Sequence, residues 1–176
     1  MSAPRNDVDE AQGSGGASAR YGAPGIVLSS RAAAELAGAS LARRPLEACG
    51  PLVGRRRADG VEVVRAPEAP NLAAHAHSAF EVDPGAIVAH EHAARRDRLE
   101  LVGFWHSHPR GGERPSPADA HMTWPGLVAV LVSLDGGRVA FSGWHRPVDG
   151  GPWARCACRT RESRDAPASR AASAKR

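Results

Sequence analysis

Three pairs of histidines stand close together in this chain: His75-Ala76-His77, His90-Glu91-His92 and His106-Ser107-His108. Neutral imidazole is a common transition-metal ligand, so each pair raises the same possible chemistry. Local geometry separates them. On an extended strand, side chains at i and i+2 project to one side and can converge on a single ion. On a helix the same spacing turns them about 200° apart. The pair at 90 and 92 falls in a stretch with helical character and reads as helix surface. It also misses the HExxH spacing, whose second histidine would stand at Ala94. The pair at 75 and 77 lies between Asn71 and Phe80 and reads as an ordinary loop. The pair at 106 and 108 ends an apolar stretch, where a rigid strand hands over to a loop and function is often carried.

Two imidazoles need a third ligand to hold a useful catalytic zinc. Asp119 supplies a carboxylate eleven residues after His108, across a Gly- and Pro-rich segment, PRGGERP, that can fold back. Catalytic zinc takes three protein ligands at about 2.0–2.2 Å and keeps a fourth position for water. His106, His108 and Asp119 would make that open site, one ion per chain. Ser116-Pro117-Ala118-Asp119 also has a purely structural explanation: Ser116 as N-cap, Pro117 at the first helical position and an acid at the third. An acidified water needs a base, and Glu47 stands in the apolar run Pro45-Leu46-Glu47-Ala48-Cys49-Gly50. Alone, Glu47 reads equally well as a surface acid at a helix–strand junction.

Elements must position these residues. Ile26 to Leu28 is a strand. Ser29 or Ser30 caps a helix running to Arg43, with Leu36 and Leu41 on its buried side, and Pro45 stops it. Cys49 to Val53 and Val61 to Arg65 pair as strands around Arg57-Ala58-Asp59-Gly60, with Asp-Gly as the turn signal. Asp83-Pro84 opens a helix that reaches Arg96. Leu99 to His106 is a strand, and Ser116 opens a short helix through Trp124. Leu127 to Leu134 is a continuous apolar run and so a buried strand, and Arg138 to His145 is the last. Strands and helices mix without strict alternation, which predicts an α/β domain with a mixed β-sheet flanked by helices.

Composition bounds the rest. The 176 residues suit one domain, and 42% hydrophobic content can build a core. Residues 1–24 are Gly/Ser-rich and read as disordered, as does the Arg-rich stretch 148–176, leaving 25–147 as the folded domain. No apolar run is long enough for a membrane span, and the N-terminus has no secretory h-region. Three cysteines make no disulfide framework, Cys49 reads as a buried thiol, and the expected location is the cytoplasm. The net charge of +4 comes from the end of the chain: residues 155–176 carry seven basic and two acidic residues. Nucleic acid is therefore not an expected partner beyond a weak tail contact.

The full pattern resembles a known family. Glu47, then His106-Ser107-His108, seven residues, then Ser116-Pro117-Ala118-Asp119 is similar to the JAMM signature of the MPN+ metalloproteases. Pro45-Leu46-Glu47-Ala48-Cys49-Gly50-Pro51-Leu52-Val53-Gly54 and Val102-Gly103-Phe104-Trp105-His106-Ser107-His108-Pro109 resemble the segments flanking that signature. Trp124-Pro125-Gly126 before a buried strand is typical of short bacterial members. The resemblance spans about residues 26–146. It implies zinc-dependent hydrolysis of an amide or isopeptide bond, with His106, His108 and Asp119 as ligands, Glu47 as general base and Ser116 stabilising the oxyanion. It further implies a substrate: the C-terminal tail of a ubiquitin-like sulfur-carrier protein, with His75, His77 and Phe80 as candidates for lining the groove. Two departures stand out. Pro51 replaces the more usual Leu, which should matter little if the strand edge is free there. The final strand is replaced by an Arg-rich tail bearing Cys156-Ala157-Cys158, read as incidental thiols.

Two rival classes remain. A non-catalytic MPN scaffold or protein-binding module is the alternative, but such modules usually lack the metal residues, and all five positions are filled here. A zinc deaminase needs H-x-E and P-C-x-x-C, and neither occurs.

Overall fold

The computed structural model describes residues 25–122, 124, 126–146 and 152–161. The expected disordered end at 1–24, and the tail beyond Arg161, lie outside the described residues. Strand β1 (Gly25–Leu28) gives way at once to helix α1 (Ser30–Arg43), because the Ser29 hydroxyl accepts the Ala32 N–H at 3.0 Å and caps it. The buried face of α1 is Ala32, Leu36 and Ser40, while Leu41 is 47% exposed. The expectation that Leu41 faces the core is corrected: one turn beyond Leu36 stands Ser40, and Leu41 lies a further 100° or so round the helix.

Strands β2 (Cys49–Arg57) and β3 (Gly60–Arg65) form the hairpin around Ala58-Asp59, both longer than the sequence suggests. Gly60 has φ +150°, and a Cβ there would stand 2.0 Å from the Gly25 carbonyl oxygen, so β1 can only pair with β3 if this position is glycine. Helix α2 (Pro84–Arg96) starts as expected, with the Asp83 carboxylate accepting the Gly85 N–H at 2.7 Å. Strands β4 (Glu100–His108), β5 (Val128–Asp135) and β6 (Arg138–His145) follow.

The strands among the described residues belong to one mixed sheet of order β7-β6-β5-β4-β2-β3-β1-β8, where β7 is Ala154–Cys156 and β8 is Cys158–Thr160. For residues 154–160 this corrects the reading of 148–176 as a disordered tail. Cys156 and Cys158 carry apolar surface into the sheet; Cys156 is buried and packs in the main core, with Cys158 against it. β7 and β8 are separated only by Ala157, yet they pair with opposite edges of the sheet, β6 and β1. The sheet must therefore curl until its edges meet. Gly143 on β6 permits the contact, since a Cβ there would press on Ile26 and Cys158.

β2 and β5 flank β4, and α2 packs on β2 and β4. β5 runs parallel to β4 and is buried along nearly its whole length, as its apolar sequence requires. The main core gathers Ile26, Leu28, Leu36, Leu52, Trp105, Val130 and Val132, and a second cluster under α2 holds Cys49, Ala69, Val82 and Phe104. The β2–β4 register shifts between Leu52 and Val53, whose partners are Gly103 and Leu101, so Val102 is an inserted residue. Beyond that bulge Trp105 enters the main core, and Phe104 and His106 face the second cluster's side. The β2–β3 ladder begins only at Val53, so Pro51, which has no N–H to give, sits where no β3 partner is needed.

Candidate functional site

His106 and His108 are both in β4, two residues apart, and their rings leave the same face at the strand's C-terminal end. The strand ends two residues later than expected, at His108, which places both imidazoles on regular backbone. The chain then reverses through Gly111 and Gly112, at φ +85° and +106°, conformations that β-carbon-bearing residues rarely adopt. It returns to a short 3-10 helix, Ala118–Met122, whose second residue is Asp119. His106 Nε2 lies 3.3 Å from His108 Nε2 and 3.3 Å from Asp119 Oδ2, and His108 Nε2 is 3.7 Å from the same oxygen. Among the described residues this is the one group of three or more metal-capable side chains with converging donor atoms. His75 and His77 are exposed in their loop, and His90 and His92 ride on α2; none of them joins it.

The surroundings fix each donor. The His106 ring is buried and stacks on Phe80, with centroids 4.1 Å apart and planes at 13°. The far edge of the His108 ring, Nδ1, faces Gly112, whose backbone hydrogen-bonds it. A ligand imidazole is commonly held in this way through its second nitrogen. Asp119 Oδ2 accepts the Ser116 N–H at 2.5 Å. That is half of the expected capping box. The other half is corrected: the helix starts at Ala118, and the Ser116 hydroxyl is buried with no hydrogen-bond partner. A buried unpaired hydroxyl is costly, so its position calls for a role other than capping.

Glu47 lies two residues before β2, beside this group, and its side chain is buried with Oε2 unpartnered. Its backbone is held on both sides. The N–H donates to Ala76 O at 2.7 Å, and the carbonyl accepts from Asn71 Nδ2 at 2.9 Å. The next residue is tied to β4: Ala48 N–H donates to Ser107 Oγ, and Ser107 N–H to Ala48 O, each at 2.9 Å. Ser107, between the two histidines, therefore fastens the Glu47 segment to their strand.

The charges follow from burial and proximity. Burial pushes Glu47 up to about 7, against the opposing pull of a charged His108, with Asp119 adding to the rise. Burial would raise Asp119 too, but hydrogen bonds from His106, His108 and the Ser116 N–H hold it well below the usual carboxylate range. His106 is lowered by its burial. His108 is raised, because Asp119 and Glu47 outweigh its desolvation.

Ligand atoms around a tetrahedral zinc at 2.0–2.1 Å sit roughly 3.3–3.4 Å from one another. Two imidazole nitrogens and a carboxylate oxygen at 3.3, 3.3 and 3.7 Å suit that ion in donor type and spacing. The residues that sequence reasoning missed are Asn71 and Ser107. Asn71 leaves no pattern, since its role is to bond backbone across a loop. Strand alternation turns Ser107 to the face opposite the histidines, but its bond to the Ala48 backbone, far away in sequence, leaves no pattern either.

A mixed curled sheet carrying a His-His-Asp group at one strand end, faced by a buried glutamate, defines the class of this protein. The chain belongs to the prokaryotic homologs of the JAB domain, whose family model matches residues 29–145. It is 37% identical over 97 residues to the desampylase of Haloferax volcanii, covering 54% of this chain and 68% of that protein. It is 34% identical over 140 residues to a Thermus thermophilus protein described as a probable TtuB-protein conjugate cleaving protease, covering 78% and 90%. A solution structure from Desulfitobacterium hafniense superposes with a TM-score of 0.69 at 26% identity, over 78% of this chain and 93% of that one.

Proposed function

We propose that this protein is a zinc-dependent peptidase that hydrolyses an amide or isopeptide bond at the C-terminal tail of a ubiquitin-like or sulfur-carrier protein. The observation that carries the reading is the convergence of His106, His108 and Asp119 beside two buried, unpartnered oxygens, Glu47 Oε2 and Ser116 Oγ. The names of the two relatives, one a desampylase and one a conjugate-cleaving protease, support the substrate class. His106, His108 and Asp119 would hold the ion, which would supply Lewis acidity toward the scissile carbonyl and acidify a water.

Glu47 takes the proton from the attacking water and returns it to the leaving amine. Burial lifts it to about 7, where a carboxylate can both accept and release a proton near neutral pH. Ser116 donates its hydroxyl proton as a hydrogen bond to the developing oxyanion, which gives its buried hydroxyl the partner it lacks. Phe80 and Gly112 keep the two imidazoles oriented. A Gly-Gly tail suits a narrow approach, since nothing projects beyond its backbone. No helix among the described residues is long and apolar enough to cross a membrane, and the substrate needs none.

Metal analysis tests the site: one zinc per chain in the wild type, and loss of it in His106→Ala, His108→Ala and Asp119→Ala. Retention of full zinc by any two of these variants would remove the assignment.

A further inference from the structure

Glu113 lies in the loop between the second histidine and the aspartate, and its backbone carbonyl carries two side-chain hydrogen bonds from β6. Ser142 Oγ donates to it at 2.9 Å and Trp144 Nε1 at 3.1 Å. Trp144 Nε1 also reaches Ser142 Oγ at 3.0 Å, which closes a triangle among the three groups. Both side chains are buried. Arg155, on β7, then covers the cluster. It pairs with the Glu113 carboxylate at 2.9 Å, and its guanidinium stands 5.8 Å from the centroid of Trp144, its cross-strand partner. A second tie runs further along the same segment, from Arg146 Nη1 to Ala120 O at 3.1 Å.

The loop needs such an anchor. Gly111 and Gly112 give its backbone freedom, and no strand among the described residues pairs with it. Three residues after Glu113 comes Ser116, and three further comes Asp119. Anchoring the Glu113 carbonyl fixes where this short stretch begins, and so where the Ser116 hydroxyl and the Asp119 carboxylate end up. We propose that Ser142, Trp144 and Arg155 are positioning residues for the Ser116–Asp119 segment, and that β7, by supplying Arg155, helps to assemble the metal site. This rests on the reading of His106, His108 and Asp119 as zinc ligands. It gives the C-terminal strap a task beyond closing the sheet.

The test compares full-length wild type with Ser142→Ala/Trp144→Phe, which keeps apolar bulk and removes both donors. Two readouts are needed: zinc affinity by chelator competition, and hydrogen exchange of amides 113–119 in the metal-free protein. Val61→Ala, a core truncation on β3, serves as the control for general destabilisation. The double variant is expected to exchange faster at 113–119 and to bind zinc about tenfold more weakly, the range seen when groups supporting metal ligands are removed. Arg155→Ala is expected to show a smaller change of the same sign, and Val61→Ala neither change. Unchanged exchange in the double variant overturns the proposal, as does wild-type zinc affinity with the donors gone. If wild type binds no zinc, the ligand reading fails; the exchange of 113–119 then decides separately whether the anchor exists.

Discussion

Asn71 donates a hydrogen bond to the backbone carbonyl of Glu47 at 2.9 Å, and it does so from a side chain whose other hydrogen bonds are all made. Its second N–H reaches Ala79 O at 3.1 Å, and its oxygen accepts the Ala73 and Glu81 N–H groups at 3.0 Å each. The amide thus locks the 71–81 loop to the segment carrying the proposed base. Asn71→Ala would leave several backbone groups without partners, at about 1–3 kcal/mol for each one kept from water. Asn71→Asp keeps the two acceptor bonds and loses both donated ones. The expected result for Asn71→Asp is a lower kcat with zinc content unchanged, measured on the same preparation. Loss of zinc in step with activity would show that Asn71 supports the metal ligands instead.

Glu47→Gln separates binding from proton transfer. The amide is nearly isosteric and cannot accept a proton, so zinc should remain. Turnover should fall by roughly 10²–10⁴, the usual contribution of a positioned general base. Full activity in this variant would end the base assignment.

The same substitution should change how the metal-free protein responds to pH. Glu47 in the folded state is raised to about 7 from an ordinary value of 4.5, because ionisation is opposed by burial. An acid raised on folding favours the folded state while protonated. Its stabilising share is therefore complete below about 4.5 and lost as pH rises through about 7. Above that, the buried charge costs up to about 3 kcal/mol, by the conversion of a pKa difference to free energy. Denaturant unfolding of chelator-treated protein should show Glu47→Gln gaining on wild type between pH 5 and 9. A difference that stays flat across that range would mean the carboxylate is solvated.

Ser116→Ala should leave zinc affinity near wild type, since the bond to Asp119 comes from the backbone N–H. The variant removes a buried unpaired hydroxyl, so stability should hold or rise slightly. Its kcat should drop by about 10²–10³ if the hydroxyl meets the oxyanion. Steady-state kinetics on one substrate, with thermal unfolding alongside, checks all three.

Much of this site was legible in the sequence because strand geometry is simple. Alternation placed His106 and His108 on one side, and Gly111-Gly112 marked the reversal that brings Asp119 back. Asp83-Pro84 and Ser29 announced their helices through capping chemistry that is local to a few residues. What stayed hidden is non-local. Asn71 and Ser107 act on the backbone of a segment distant in sequence, which no periodicity records. The strap of β7 and β8 hid inside an Arg-rich composition, because short strands with exposed arginines look like a solvated tail. Leu41 was misplaced by reading hydrophobicity without counting turns. The Ser116 cap was misplaced because its sequence fits a capping box, whereas the hydroxyl is held free of the helix.

The most direct measurement is intact mass spectrometry of a Gly-Gly carrier protein bearing one extra C-terminal residue, incubated with the zinc-loaded enzyme with and without a chelator. The account predicts loss of that residue's mass, abolished by chelation and by Glu47→Gln. An unchanged carrier mass, and an equally unchanged carrier–lysine isopeptide conjugate, with one zinc per chain confirmed, would contradict it.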